Sequence, residues 1–426
     1  MVIQQVHKAH GRLSDVLHRA RARVNEHGVI GALKLEWRKQ VTWPLRTRRL
    51  VRAYHTSQAE LRRTAGRSSA GDETEFSRPI VEKGNRIAEA LCDKYHAKYA
   101  ESGLRVLIHC PPAGAGKVWM DDLSECLEHV GIAVMRFGWN DPAYKELFRS
   151  FRPNVLLSFD NPSALNFLDL EFIRDYKERY GLLRLLSTHH PKGIDDRISL
   201  SASDEWRLDL LTRGLTADAF FCLMDEGYFD IFLRHWHSTG IKYLSLPMAA
   251  NPLWHRPRAV AKDLDWAIAT NNCDWGVRAE LTERYMWKLL TQYRGIIVGA
   301  DWDPGIALIP HREVPELLAR ARICPSPRID LSVRFPTEIG GKTFEIPAMG
   351  GFILVSRTAA LHKFFGPSEI AAVDGPKDFI EKFEFFLHQP EKRYEMVSRA
   401  MERVFACHTY FHRIDKLVGF VTNLMN

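Results

Sequence analysis

Between Glu338 and Ser356 the chain reads EIGGKTFEIPAMGGFILVS, which sets a lysine, a glutamate and two glycine pairs close together. Gly340 and Gly341 precede a helical run from about Lys342 to Met349. Backbone without a Cβ lets a ligand approach closely, and the N–H groups at a helix start favour an anion such as phosphate. Lys342 adds positive charge at that end. Glu345, one turn further in, can accept hydrogen bonds from sugar hydroxyls. Gly350 suits a left-handed helix C-cap, after which Phe352 to Ser356 reads as a buried strand. These types allow one chemistry above others: holding a phosphorylated, hydroxyl-rich ligand. The same residues also read as turn chemistry with a solvated glutamate, and spacing leaves both readings open.

Three further groups fall at strand ends, where open α/β sheets place their ligands. PPAGAGKVW (111–119) brings Gly114, Gly116 and Lys117 after the first strand. It lacks the glycine and the Ser or Thr that a phosphate-binding P-loop requires, so it reads as a glycine-rich loop facing a cleft, or as a turn. STHHPKG (187–193) offers His189 and His190, which could orient an acceptor hydroxyl or sit in an ordinary loop. SFDNP (158–162) offers Asp160, either toward an acceptor or as a turn cap. No His, Cys, Asp or Glu spacing points to a metal, and the expectation is that none is used.

The elements that must hold these residues follow from periodicity. Short apolar runs recur: LRVLIHC (104–110), GIAVMRF (131–137), PNVLLSFD (153–160), LLRLLSTHH (182–190), ADAFFCL (217–223) and IKYLSLP (241–247). After a proline-bearing linker they restart with DWAIATNN (265–272), GIIVGAD (295–301), ARICPSP (321–327), the opening stretch and EIAAVDG (369–375). Apolar strands alternating with longer helical segments predict parallel sheets covered on both faces. The expected fold class is therefore α/β, with two Rossmann-like domains facing a cleft. The predicted boundaries are a basic helical extension (1–100), a first domain (101–250), a second (258–390) and a helical tail (391–426) that bends near His408. Pro44 is expected to break or kink the helix it lies in.

Composition narrows the class. At 46% hydrophobic and 26% charged residues the chain is globular, and no apolar run is long enough to span a bilayer. Seven scattered cysteines without C-x-x-C spacing predict reduced thiols, and with the absence of a secretory leader they predict a cytoplasmic protein. The net charge of +7 is uneven: residues 1–70 carry fifteen Lys and Arg against four acids, and the remainder sums to −4. Arg and Lys interleaved with Trp37, Trp43 and Leu45 suit an anionic membrane surface at residues 1–70, or a helix with a solvated basic face. No motif supports a nucleic-acid partner.

GKTFEIPAMGGFILVS resembles the signature of the CgeB-type (spore-protein-like) glycosyltransferases of the GT-B superfamily: a basic residue, an aromatic-Glu pair, P-A-x-G and an apolar strand. The resemblance runs from DLDWAIATNN to the C-terminal helices and more weakly over the first domain. Lys342 stands where that family more often has arginine, and Glu338 and Glu345 lie seven apart where related retaining enzymes space two glutamates by eight. The resemblance implies a metal-independent, retaining transfer of sugar from a nucleotide-diphosphate sugar to a glycan, lipid-linked or protein acceptor, with no cofactor. It implies donor contacts from Thr270, Asn271, Asn272, Arg278, Gly340, Gly341, Lys342 and Glu345, with Glu345, His189 and His190 nearest the chemistry. Gly114, Gly116, Lys117 and Asp160 would face the acceptor. An epimerase, a phosphorylase and a non-catalytic sugar-nucleotide-binding or polymer-binding protein remain as alternatives.

Overall fold

The structure is a computed structural model and describes residues 37, 42–64, 73–188, 200, 202–272, 277–302, 306–327 and 339–426. His189, His190, Glu338 and most of the basic N-terminal segment lie outside these residues.

Eleven strands among the described residues form two sheets. The first contains β1 (Arg105–Cys110), β2 (Ala133–Gly138), β3 (Val155–Phe159), β4 (Leu183–Ser187), β5 (Ala219–Cys222) and β6 (Lys242–Ser245). Its order is β2-β1-β3-β4-β5-β6, and every pairing is parallel. The second contains β7 (Leu264–Ala269), β8 (Gly295–Val298), β9 (Ala321–Ser326), β10 (Ile353–Ser356) and β11 (Ala371–Val373), ordered β11-β10-β9-β7-β8 and again parallel. β3 and β4 are buried along their whole length, which is why they read as continuous apolar runs rather than alternating ones. In each sheet the order reverses beside the first strand, so the crevices fall outside the carboxyl ends of β1 and β3, and of β7 and β9. The expected α/β class, with two parallel-sheet domains, is the observed one.

The helices that frame the sheets are α1 (Trp43–Thr64), α2 (Thr74–Tyr95), α3 (Gly114–His129), α4 (Ala202–Thr212), α5 (Val277–Gln292), α6 (Lys342–Ala348), α7 (Pro390–Cys407) and α8 (Tyr410–Met425). No helix among the described residues is long and apolar enough to cross a membrane. Three of them join the two halves. Ile80 and Ala88 of α2 enter the core around the second sheet, whereas Cys92 and Tyr95 enter the core around the first. Val397, Met401 and Val404 of α7 pack in the second core, and Phe411, Ile414 and Leu417 of α8 return to the first. The break between α7 and α8 falls at His408 and Thr409, where Thr409 and His412 form a capping box.

Pro44 is the second residue of α1, where the missing N–H costs nothing, and residues 38–41 before it lie outside the described residues. One sequence expectation is corrected: Gly114–Gly116 is not a loop. Both glycines belong to the first turn of α3, which begins six residues before the apolar pattern is readable. Gly114 sits at φ +81, and the small residues there carry no helical stripe to read.

α1 packs on the second domain. Thr47, Leu50, Val51, Tyr54 and Gln58 repeat every three or four residues and form its buried face. That face covers β8, an edge strand of the second sheet. Gln58 Nε2 donates to Leu290 O and Tyr293 O at 3.1 and 2.9 Å, and its Oε1 accepts from Gly295 N at 3.0 Å. Tyr54 Oη accepts from Ile297 N at 3.4 Å. The edge therefore finds partners in side chains rather than in another chain. Replacing Gln58 with Ala should lower unfolding free energy by about 2 kcal/mol, because buried backbone groups lose their partners. Arg63→Ala, at an exposed position, should stay within about 0.5 kcal/mol. Denaturant unfolding followed by circular dichroism checks both.

Candidate functional site

The residues of EIGGKTFEIPAMGGFILVS are laid out by α6 and β10. α6 spans Lys342–Ala348, and Gly350, at φ +69, closes it in the left-handed conformation. Gly341 has ordinary helical φ, so its backbone does not require glycine. Space does. A Cβ there would stand 2.5 Å from Glu345 Oε1 and 3.2 Å from Met248 Sδ. The missing side chain is what lets the Glu345 carboxylate fold back over the start of its own helix. Lys342 Nζ donates to Glu345 Oε2 at 2.7 Å.

Glu345 is 6% exposed, so it is not the solvated helix residue that its spacing also allowed. Burial alone would raise its pKa, yet the Lys342 ammonium holds it below the usual carboxylate range. The Lys342 ammonium is engaged by this carboxylate.

Around this pair the structure brings together residues whose spacing in the chain gives no sign of a shared site. Asp122, on α3 of the first domain, is 2% exposed. Its Oδ1 accepts from Trp254 Nε1 at 2.9 Å and Asn251 Nδ2 at 3.0 Å, while its Oδ2 is buried without a partner among the described residues. Burial, with the charges of Glu345 and Glu125 adding to it, pushes its pKa up to about 7. His255 Nδ1 accepts from Asn251 N at 2.8 Å, and burial lowers that imidazole to about 3, so it is neutral. His311 comes from the second domain, and its Nε2 is buried with no partner among the described residues. Arg312 lies 4.3 Å from the Trp254 ring and pairs with Glu125 of the first domain. On the other side of the seam Lys363 pairs with Asp225 of the first domain.

Asp122, His255 and His311 each offer a ligand atom within 4.8 Å of the others, the spacing of a cation site. The donor set fits a cation poorly. A neutral His255 whose Nδ1 accepts a backbone N–H carries its proton on Nε2 and has no free lone pair for a cation. Asp122 and His311 then remain, fewer ligands than a zinc site uses. The trio suits a water or a hydroxyl oxygen better.

The other expected site residues are scattered. Thr270, Asn271 and Asn272 leave β7 at the second crevice. Thr270 O accepts from Trp302 Nε1 at 2.7 Å, and Asn271 Oδ1 accepts from Ala300 N at 2.9 Å. The Asn272 amide is committed to the protein: Oδ1 accepts from Ala279 N, and Nδ2 donates to Asp301 O and Thr47 Oγ1. Arg278 is the second residue of α5. Gly340 precedes α6, and its carbonyl accepts from Thr343 N at 3.0 Å. Lys117 pairs with Asp121 one turn along α3.

Asp160 stands just past the end of β3, and its carboxylate is engaged within the protein. It is 1% exposed, and its Oδ2 accepts from Arg207 Nη1 at 2.7 Å and Thr188 Oγ1 at 3.0 Å. A carboxylate at the end of β3 that receives a buried arginine from α4 is a brace. Its strand-end position was legible; Arg207, 47 residues later, was not.

With the geometry in place, comparison with known proteins gives the class. Residues 278–419 match the protein family described as Glycosyl transferase-like. Among solved structures, sucrose-phosphate synthase from Thermosynechococcus elongatus aligns at 14% identity and TM-score 0.53, covering 75% of this chain and 98% of its own. A glycosyltransferase from Rickettsia africae aligns at 10% identity and TM-score 0.53, covering 76% and 99%. A T4 phage BGT mutant in complex with UDP-glucose aligns at 11% identity and TM-score 0.50, covering 76% and 100%. Comparison with curated protein sequences returns no match. Identities this low speak for the fold, which is the two-domain GT-B architecture. Fold and family match together define the class as a glycosyltransferase enzyme. The Lys342–Glu345 pair lies inside its glycosyl transferase-like domain.

The raised Asp122 pKa makes a signed prediction. Above pH 7 the ionised, buried carboxylate disfavours the folded state; below about pH 4 both states are protonated and that cost is gone. Its contribution therefore improves as pH falls from 7 to 4. Asp122→Asn should gain stability relative to the wild type as pH rises from 5 to 8, checked by denaturant melts of both proteins across that range.

Proposed function

We propose that this enzyme transfers a sugar from a nucleoside-diphosphate sugar to a hydroxyl-bearing acceptor, with the donor held by the second domain. The observation that carries this reading is the Lys342–Glu345 pair, a buried carboxylate and a half-buried ammonium inside the family match. In the free protein each charge satisfies the other. A donor offers both replacements at once, a diphosphate for Lys342 and hydroxyls for Glu345. Supporting it, the T4 phage neighbour of this fold was crystallised with UDP-glucose.

In the transfer, the bond from the anomeric carbon to the diphosphate oxygen breaks and the diphosphate leaves with the electron pair. The acceptor oxygen bonds the anomeric carbon, and its proton passes to the departing diphosphate. Lys342, with Arg278 from the first turn of α5, would counter the charge that accumulates there without a metal. Retention of configuration is carried over from the CgeB-type resemblance of GKTFEIPAMGGFILVS. His189 and His190 follow β4 and would orient the acceptor from the first domain.

The acceptor we favour is a glycan or lipid-linked glycan met at the cytoplasmic face of an anionic membrane. Its support is the basic composition of residues 1–70 and the outward placement of Arg52, Arg62, Arg63 and Leu45 on α1.

Thermal unfolding with UDP, UDP-glucose, GDP, GDP-mannose and dTDP-glucose tests the donor site. One sugar nucleotide should raise the wild-type melting temperature. Its affinity should fall about tenfold or more in Lys342→Met and in Glu345→Gln, as expected for losing a charged partner. No shift with any of the five would sink the donor assignment.

A further inference from the structure

The N-terminal extension has a feature that a detachable arm does not need. Thr47, 6% exposed on the inner face of α1, accepts a hydrogen bond from Asn272 Nδ2 at 3.3 Å. Asn272 is itself 7% exposed and ties three pieces of the second domain together. Its backbone N–H donates to Ala300 O at 2.8 Å, and its Nδ2 also donates to Asp301 O at 3.1 Å, both just beyond β8. Its Oδ1 accepts from Ala279 N at 3.0 Å, in the first turn of α5. The residue that leaves β7 at the sheet's reversal point is thus stapled to the exit of β8, to the start of the next helix, and to α1.

The same helix grips α5 on a second line. Arg46 Nη1 lies 2.8 Å from Glu280 Oε2, Arg46 Nε lies 3.1 Å from Glu283 Oε2, and Arg49 pairs with Glu283. Beyond these contacts, Tyr54 and Gln58 fix α1 to β8, so Thr47 is presented from a helix that is itself held.

We infer that α1 is a positioning element of the donor site, acting through Thr47 on Asn272 and through Arg46 on α5 to set the crevice beyond β7. This rests on the donor reading above and adds what that reading lacks, a reason for the extension to be part of the second domain. Asn272 is then a positioning residue rather than a donor contact, because its amide hydrogen bonds go to the protein.

The test uses the full chain. Calorimetric affinity for UDP, GDP and dTDP is measured for wild type, Thr47→Val, which keeps the branched shape and loses the hydroxyl, and Thr47→Ser, which keeps the hydroxyl. For whichever nucleotide binds the wild type, affinity should fall about five- to tenfold in Thr47→Val, the scale of one buried hydrogen bond, and stay within about twofold in Thr47→Ser. Equal affinity in wild type and Thr47→Val overturns the positioning role and leaves the donor reading standing. A lowered melting temperature with unchanged affinity overturns it equally, since a mere brace would do that. A wild type that binds none of the three overturns the donor reading, and this inference falls with it. If Thr47→Val does not fold, Arg46→Gln, altered at a partly exposed ion pair, takes its place: a five- to tenfold loss of affinity supports the positioning role, and unchanged affinity overturns it.

Discussion

A carboxylate in a nearly dry seam has to be neutralised or it does not stay charged, and the middle of this molecule is arranged around that constraint at Glu345. Lys342 lies one turn back on the same helix and supplies the counter-charge at 2.7 Å. Gly341 supplies the space, since a side chain there would strike the carboxylate. His255 and His311 stand nearby, but burial lowers the pKa of both, so the counter-charge is left to the ammonium. A second carboxylate, Asp122, faces the same seam from the other domain, and its pKa rises instead. The two acids are separated by environment: one has an ammonium beside it, the other only amide and indole hydrogens. Pairs of acids driven apart in this way are typical of working sites rather than of packing.

The seam depends on how the chain crosses it. The linker after β6 contributes Asn251, Trp254 and His255 to the polar cluster, and near its start Ala250 bridges Thr409 at the break between α7 and α8. Arg413 of α8 reaches back to Pro247 O at 3.0 Å, in the same linker. Asp415, further along α8, accepts from Tyr95 and Tyr99, at the end of α2 and just beyond it. The outgoing linker and the returning helix are thereby fastened to each other, and both domains close on one strut. Arg312–Glu125 and Lys363–Asp225, by contrast, are partly exposed ion pairs across the seam, of the kind that contributes little to stability.

What the sequence made legible follows from local periodicity, and what it hid is non-local. The apolar runs marked the strands, and the glycine pairs marked both ends of α6, because those signals are complete within ten residues. The space that Gly341 leaves for the Glu345 carboxylate could not be read from spacing. Asp122 did leave a trace: it sits between Trp119 and Cys126 on the buried stripe of α3, where a carboxylate is out of place. His311 left none, since it lies in the connection between β8 and β9, and nothing nearby declares Asp122 or Trp254 as its companions. Asp160 could be placed at a strand end, but its partner Arg207 could not, because it arrives from a helix 47 residues later.

The charge asymmetry shows most clearly how composition and structure divide the work. An excess of fifteen basic residues over four acids in residues 1–70 reads from composition as an invitation to an anionic partner. Part of that excess is answered inside the molecule. Arg46 and Arg49 meet Glu280 and Glu283 on α5, and these acids belong to the body whose sum is −4. Complementary charge between extension and body is what docking a basic helix onto a GT-B domain requires, whether or not a membrane lies beyond it. Further along α1, Arg52, Arg62 and Arg63 are exposed instead. One helix therefore carries two kinds of arginine, and its buried stripe of Thr47, Leu50, Val51, Tyr54 and Gln58 decides which is which.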